Sequence, residues 1–208
     1  MKPKPLHYPL DSYPGMMKHD SAAHGAKALL DATNEINEAL GKVTDIRVLS
    51  KAIKEKAAQA ARAAVKARDY AQAASASKAK LQKEAIAKRS EFEKETRDFI
   101  RADKSPATLI RRFIAAGDMD AVGAVFRAPP YLTGLTDEQF GMLYTYARQT
   151  LTPDLYRQEQ EADAAVARLS RGIEVFNAEV ARLEKFISGS DDAIVANLLK
   201  AKEPADAA

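Results

Sequence analysis

The residue pattern predicts an all-α protein: an elongated antiparallel helical hairpin or coiled coil, with a small helical head and an extended N-terminal arm. Three observations carry this. Val166, Leu169, Ile173, Phe176, Val180, Leu183 and Ile187 recur at alternating spacings of 3 and 4. That is the seven-residue repeat of a helix-pairing seam. From Ile46 to Ala102 there is neither proline nor glycine. Elsewhere, cap and breaker residues mark off several shorter helical stretches.

Residues 1–19 form the arm. Pro3, Pro5, Pro9 and Pro14 forbid a helix and favour extended backbone. Leu6, Tyr8, Leu10 and Tyr13 give it apolar teeth, so it is a candidate docking segment, in cis or in trans.

Residues 20–104 hold two helices. Asp20 or Ser21 caps the first, and Gly41 stops it. Thr44 or Asp45 caps the second, a long helix expected to reach about Ala102 if unbroken, with any bend expected at Ser75 and Ser77. At 1.5 Å per residue that helix is roughly 85 Å long. Its middle is dense in alanine, the best helix former, which also lets a neighbour approach closely. Its apolar stripe reads as Leu81, Phe92 and Phe99, interrupted by Lys88 and Glu95.

Residues 105–152 form the head, where large apolar residues are densest. Ser105-Pro106 is a cap followed by proline at the first helical position. Gly117 ends that helix, Asp118 caps the next, and Thr136 with Gln139 makes a capping box. Pro129, Pro130, Tyr131 and Leu132 lie in the connector between them. Tyr131 and Leu132 plug the head core on one reading and form a docking loop on the other.

Residues 153–208 carry the seam. Thr152-Pro153 starts its helix, Gly189 is expected to end it, and Ser190 to cap a last short helix. Folding back through the head would lay the seam on residues 68–103. Charge favours that pairing: residues 51–104 hold 15 Lys/Arg against 8 Asp/Glu, while residues 153–208 hold 7 against 11. The alternative keeps the seam for another copy of the protein.

Catalysis is not expected. The chain has no cysteine and three histidines, all near the N-terminus, so thiolate nucleophiles, disulfides and zinc sites of the usual spacing are out of reach. The nine glycines form no phosphate-binding loop. Glu91, Glu93, Glu95 and Asp98 read as a salt-bridged helix face, with Glu93–Arg97 and Lys94–Asp98 at helical pair spacing. No metal and no cofactor is expected. Nor is a membrane span, since no stretch approaches about 20 apolar residues. The opening Met1-Lys-Pro-Lys-Pro-Leu-His has no apolar signal core. A soluble protein in the cytoplasm of the producing cell is the expectation.

The segment from Ile114 to Phe140 includes Ala128-Pro-Pro-Tyr-Leu-Thr-Gly-Leu-Thr-Asp-Glu138. It resembles small helical proteins of tailed bacteriophages and prophages, which carry a similar "A-P-x-[FY]-L-[ST]-G-L-[ST]-D-E" run between helices. The resemblance implies a context only, a virion or assembly component, and brings no functional residues. The reading is therefore a non-enzymatic structural or assembly protein acting through helix–helix association, as a virion head or connector component, its partners being copies of itself or other virion proteins. Two alternatives stand beside it. One is a nucleic-acid or polyanion binder using the basic run from Lys51 to Arg89. The other is an adaptor or inhibitor of a host protein, docking through the Pro129–Leu132 loop.

Overall fold

The computed structural model describes residues 4–7, 20–42, 46–89 and 91–200, without the side chains of 46–49 and 190–200. Among these residues there is no strand. The helices are α1 (Asp20–Lys42), α2 (Ile46–Ile86), α3 (Glu93–Ala102), α4 (Pro106–Ala116), α5 (Met119–Phe126), α6 (Asp137–Leu151) and α7 (Pro153–Lys200). A short 3-10 helix spans Pro130–Thr133. The chain is all-α, as its sequence predicts. It forms two compact units: residues 1–72 with 163–208, and residues 73–162.

The first unit packs α1, the front of α2 and the body of α7 around one apolar cluster. Helix α1 contributes Ala22, Ala26, Leu29, Ala32 and Ile36, and α2 contributes Ile53, Ala57, Ala60, Ala64 and Ala67. Helix α7 contributes Ala165, Leu169, Ile173, Phe176, Val180, Leu183 and Ile187. Each large side chain buried there stabilises the unit by roughly 1.5–3 kcal/mol.

Residue pairs give the helix directions. Gly25 lies beside Ala64, Ala67 and Leu169, and Glu35 pairs with Lys56 at 2.6 Å. Helix α2 therefore runs antiparallel to α1. Arg182 reaches Pro5, whose neighbour Leu6 is held by Asn37. Helix α7 thus runs parallel to α1 and antiparallel to α2. Small residues permit the close approach: a Cβ on Gly25 would lie 2.7 Å from the Ala67 methyl.

These facts correct four expectations. The long helix ends at Ile86 and restarts at Glu93. No proline or glycine marks the break, which lies where the backbone of Lys88 packs against helix α5. Lys88 carbonyl lies so close to Gly123 that a Cβ there would be 2.2 Å away. The pairing stripe of α2 is not Leu81, Phe92 and Phe99, which are 45%, 65% and 63% exposed. It is the heptad Ile53, Ala57, Ala60, Ala64, Ala67 and Ala71, all buried. The seam accordingly packs on α1 and on α2 from Ile53 to Ala67 rather than on residues 68–103, since the alanine stripe there lets the helices approach closely. Finally, α7 runs through Gly189 and Ser190 to Lys200. Glycine inside a helix costs only about 1 kcal/mol and does not by itself end one. Helix α2 is continuous through Ser75 and Ser77, and Ser75 is buried.

The second unit has its own core, with Ile86, Ile100, Ile110, Ile114, Val122, Val125, Phe126, Leu135, Leu143 and Ala147. Phe126 meets Phe140 and Tyr144 edge-on, with centroids 5.2 and 5.3 Å away. Its helix ends follow the expected chemistry. Asp118 accepts from the Ala121 N–H at 3.0 Å, Thr136 and Gln139 form the reciprocal capping box, and Gly117 and Gly134 take left-handed φ of 70° and 73°. Ser105 departs from expectation. Its side chain makes no capping hydrogen bond; instead its N–H donates to the Asp103 carboxylate at 2.7 Å.

Candidate functional site

Of the seven seam residues, Leu169, Ile173, Phe176, Val180, Leu183 and Ile187 are buried, and Val166 is half-buried. Ala162, seven residues before Leu169, is buried and keeps the repeat, but Ala165 is buried where Val166 is not, so the inner stripe shifts by one position there. This apolar surface is already covered inside the first unit.

The arm is placed at Lys4–His7; Tyr8, Leu10 and Tyr13 lie outside the described residues. Leu6 is 6% exposed and joins the first-unit core, while Lys4, Pro5 and His7 are exposed. The Asn37 side chain reads both main-chain groups of Leu6. Leu6 N–H donates to Asn37 Oδ1 at 2.7 Å, and Asn37 Nδ2 donates to the Leu6 carbonyl at 3.0 Å. Arg182, steadied by Glu179 at 2.9 Å, donates to the Pro5 carbonyl at 3.4 Å. Pattern reading picked out Leu6 but not Asn37 or Arg182. One polar residue on a helix carries no mark that it will grip backbone 31 residues away.

The connector divides. Tyr131 is 70% exposed, Pro129 is exposed, and Pro130 and Leu132 are half-buried. Thr133 and Leu135 enter the interior instead. The core-plug role expected for Tyr131 is thus taken by its neighbours. The 3-10 helix packs on α3, whose Phe92 and Phe99 are also exposed.

Basic residues of α2 are in part engaged within the chain. Lys56 pairs with Glu35, Arg68 with Asp69 at 2.9 Å and Lys80 with Glu84 at 3.8 Å. Lys66 lies over the Tyr70 ring, 5.8 Å from its centre. In the acidic cluster, Glu93 joins Arg97 at 3.4 Å and Arg127 at 3.3 Å. Arg97 also donates to the Ala124 carbonyl, so this face ties α3 to α5.

A polar network inside the second unit has no sequence motif. Gln82 is fully buried; Arg148 and Glu159 side chains are 18% and 10% exposed. Arg148 Nε donates to Gln82 Oε1 at 2.7 Å, and Gln82 Nε2 donates to Glu159 Oε2 at 2.5 Å. Arg148 also pairs directly with Glu159. The triangle closes with Tyr144 and Tyr156 flanking the guanidinium at 5.9 and 5.2 Å. Burial is the main influence on the Tyr144 phenol and raises its pKa; Arg148 opposes this and Glu159 adds to it.

Among the described residues, two of the grooves are shallow. One, about 190 Å³, lies between α4 and α6, where Arg111 sits 4.9 Å over the Tyr146 ring beside Met142. The other, about 210 Å³, lies between α1 and α2 over Ala28, Ala32, Ala60 and Ala63. Both fall below the roughly 300 Å³ at which small-molecule sites begin. Neither is lined by histidine. Among the described residues, no three His, Asp or Glu side chains are grouped to hold a metal ion, and no helix is long and apolar enough to cross a membrane. Asn37 offers main-chain hydrogen bonding, and the exposed aromatics of the second unit offer apolar contact. Comparisons with protein-family models, curated proteins and solved structures return no match.

Proposed function

We propose that this protein is a non-catalytic structural or assembly component that works by association, in the setting of a bacteriophage virion. The observation that carries the reading is the exposure of large aromatics on the head while the long apolar seam is covered within the chain. Phe99 and Tyr131 are 63% and 70% exposed, on α3 and the 3-10 helix, which pack together. Contiguous exposed apolar surface marks interaction sites, and on this reading the two rings belong to one such face; aromatic side chains dominate the contact energy of interfaces. The resemblance of residues 114–140 to phage-encoded helical proteins supplies the setting. The resulting picture is a protein whose helices fix its shape and whose head presents a sticky face to its neighbours.

Light scattering tests it. The wild-type chain should exceed its single-chain mass of 22.7 kDa, and the Phe99→Ser/Tyr131→Ser variant should return to that mass with unchanged helicity. A wild-type mass of one chain at every concentration would falsify the reading.

A further inference from the structure

We propose that the seat formed by Asn37 of α1 and Arg182 of α7 is a receptor for an extended Pro-Leu peptide, and that in an assembly it takes residues 4–7 of a second copy of this chain. The proposal deepens the reading of the protein as one that works by association, and it uses a surface separate from the head aromatics.

Recognition at this seat is mostly of main chain. The Asn37 amide presents one acceptor and one donor to the N–H and carbonyl of the same residue, at 2.7 and 3.0 Å. That pairing requires extended backbone, the arrangement by which a strand pairs with a sheet edge. Pro5 has a fixed φ and keeps the residue before it extended, so part of the segment is already ordered and less entropy is lost on docking. Arg182 takes the preceding carbonyl. Selectivity comes from one side chain: Leu6 alone enters the core, and Lys4, Pro5 and His7 face solvent. The seat therefore asks for a leucine in an extended segment and little else.

Nothing in that chemistry depends on the peptide belonging to the same chain. What links them is sequence length. Leu6 sits at Asn37, 17 residues into α1 from Asp20. At about 1.5 Å per residue this is roughly 25 Å from the start of the helix. The stretch from His7 to Asp20 reaches at most about 45 Å when extended. The surplus allows the same segment to bridge to a neighbour. Contacts in cis and in trans are identical, so effective concentration decides between them. Exchange of an identical element is a low-cost route to association.

The test shortens the link. Deleting residues 9–17 leaves four chain steps from His7 to Asp20, about 14 Å at most, too short to dock in cis. It is carried out in the Phe99→Ser/Tyr131→Ser background, so that failure of head association does not affect the result. The shortened chain should have twice the mass of its parent by light scattering, and adding Leu6→Asp or Asn37→Ala should halve it. A shortened chain that stays single, or one that doubles regardless of Leu6 and Asn37, overturns the proposal. A second measurement keeps the link intact. A labelled peptide of residues 3–8 should bind the full-length Leu6→Ala chain saturably, and Asn37→Ala should weaken it by about tenfold. No saturable binding, or binding indifferent to Asn37, counts against the seat.

Discussion

Arg148 and Glu159 form an ion pair in the interior of the second unit, closed into a triangle by the amide of Gln82. The amide is oriented by its partners: its oxygen must face the guanidinium and its nitrogen the carboxylate. No other uncharged side chain of that length offers both. The triangle joins α2, α6 and α7, and fixes which turn of each helix faces the others.

Breaking one corner should cost more than removing all three. Glu159→Ala leaves a largely buried guanidinium and a buried amide without their acceptor, and should lower stability by about 2–3 kcal/mol in urea unfolding. Replacing the set together, as Gln82→Leu/Arg148→Met/Glu159→Leu, should leave stability within about 1 kcal/mol of wild type. If the triple variant is as damaged as the single one, the triangle contributes net energy rather than register.

Glycine substitutions should divide by sign. At Gly141, in the interior of α6, an added Cβ meets nothing within 4 Å, so Gly141→Ala should stabilise by up to about 1 kcal/mol through helix propensity. Gly123→Ala should do the reverse, because its Cβ would sit 2.2 Å from the Lys88 carbonyl, which is backbone and cannot swing aside. A loss of about 1–3 kcal/mol is expected there. Thermal unfolding of the two variants side by side decides it; a stabilising Gly123→Ala would mean that residues 87–89 do not lie on α5.

Much of this was legible in sequence, and what was not depends on small residues or on contacts between distant segments. Caps and stops depend on neighbours three or four residues away, so Asp118, Thr136 with Gln139, Gly117 and Pro153 all mark helix ends as read. The seam was visible because leucine, isoleucine and phenylalanine stand out at heptad spacing. Its partner was missed because the matching heptad on α2 is written almost entirely in alanine, which is also the filler of its solvent face. The break after Ile86 was invisible for a different reason: it lies where the Lys88 backbone packs against Gly123, more than 30 residues away. Of the candidate contacts, Leu6 showed as an apolar tooth. Asn37, Arg182 and the Gln82 triangle became apparent only when the fold brought distant polar groups together.

Helix caps in the head should be separable from residues that merely look like caps. Asp118→Ala removes an observed hydrogen bond to Ala121, and should cost about 1 kcal/mol. Thr136→Ala opens the capping box and should cost about the same. Ser105→Ala should cost much less, since that side chain caps nothing. Asp103→Ala should take the larger loss at that helix start by removing the acceptor for Ser105 N–H. Chemical unfolding of the four variants gives the order; a Ser105 loss exceeding that of Asp103 would contradict the assignment.

The alkaline limit of stability should carry a contribution from Tyr144. Burial raises its phenol above the ordinary 10.0, against the opposing charge of Arg148 and with a smaller push from Glu159. With the folded pKa above the unfolded one, the folded state keeps its proton while the unfolded chain releases one. The stabilisation is therefore complete below pH 10 and is lost as pH rises from there through the folded value. Ultraviolet titration of the phenolate band should show one component above the ordinary tyrosine range, missing in Tyr144→Phe. Urea unfolding of that variant should decline less steeply than wild type above pH 10. Equal slopes in the two proteins would show that the Tyr144 hydroxyl has the same pKa folded and unfolded, and that its ring packs against Phe126 without shielding the hydroxyl from water.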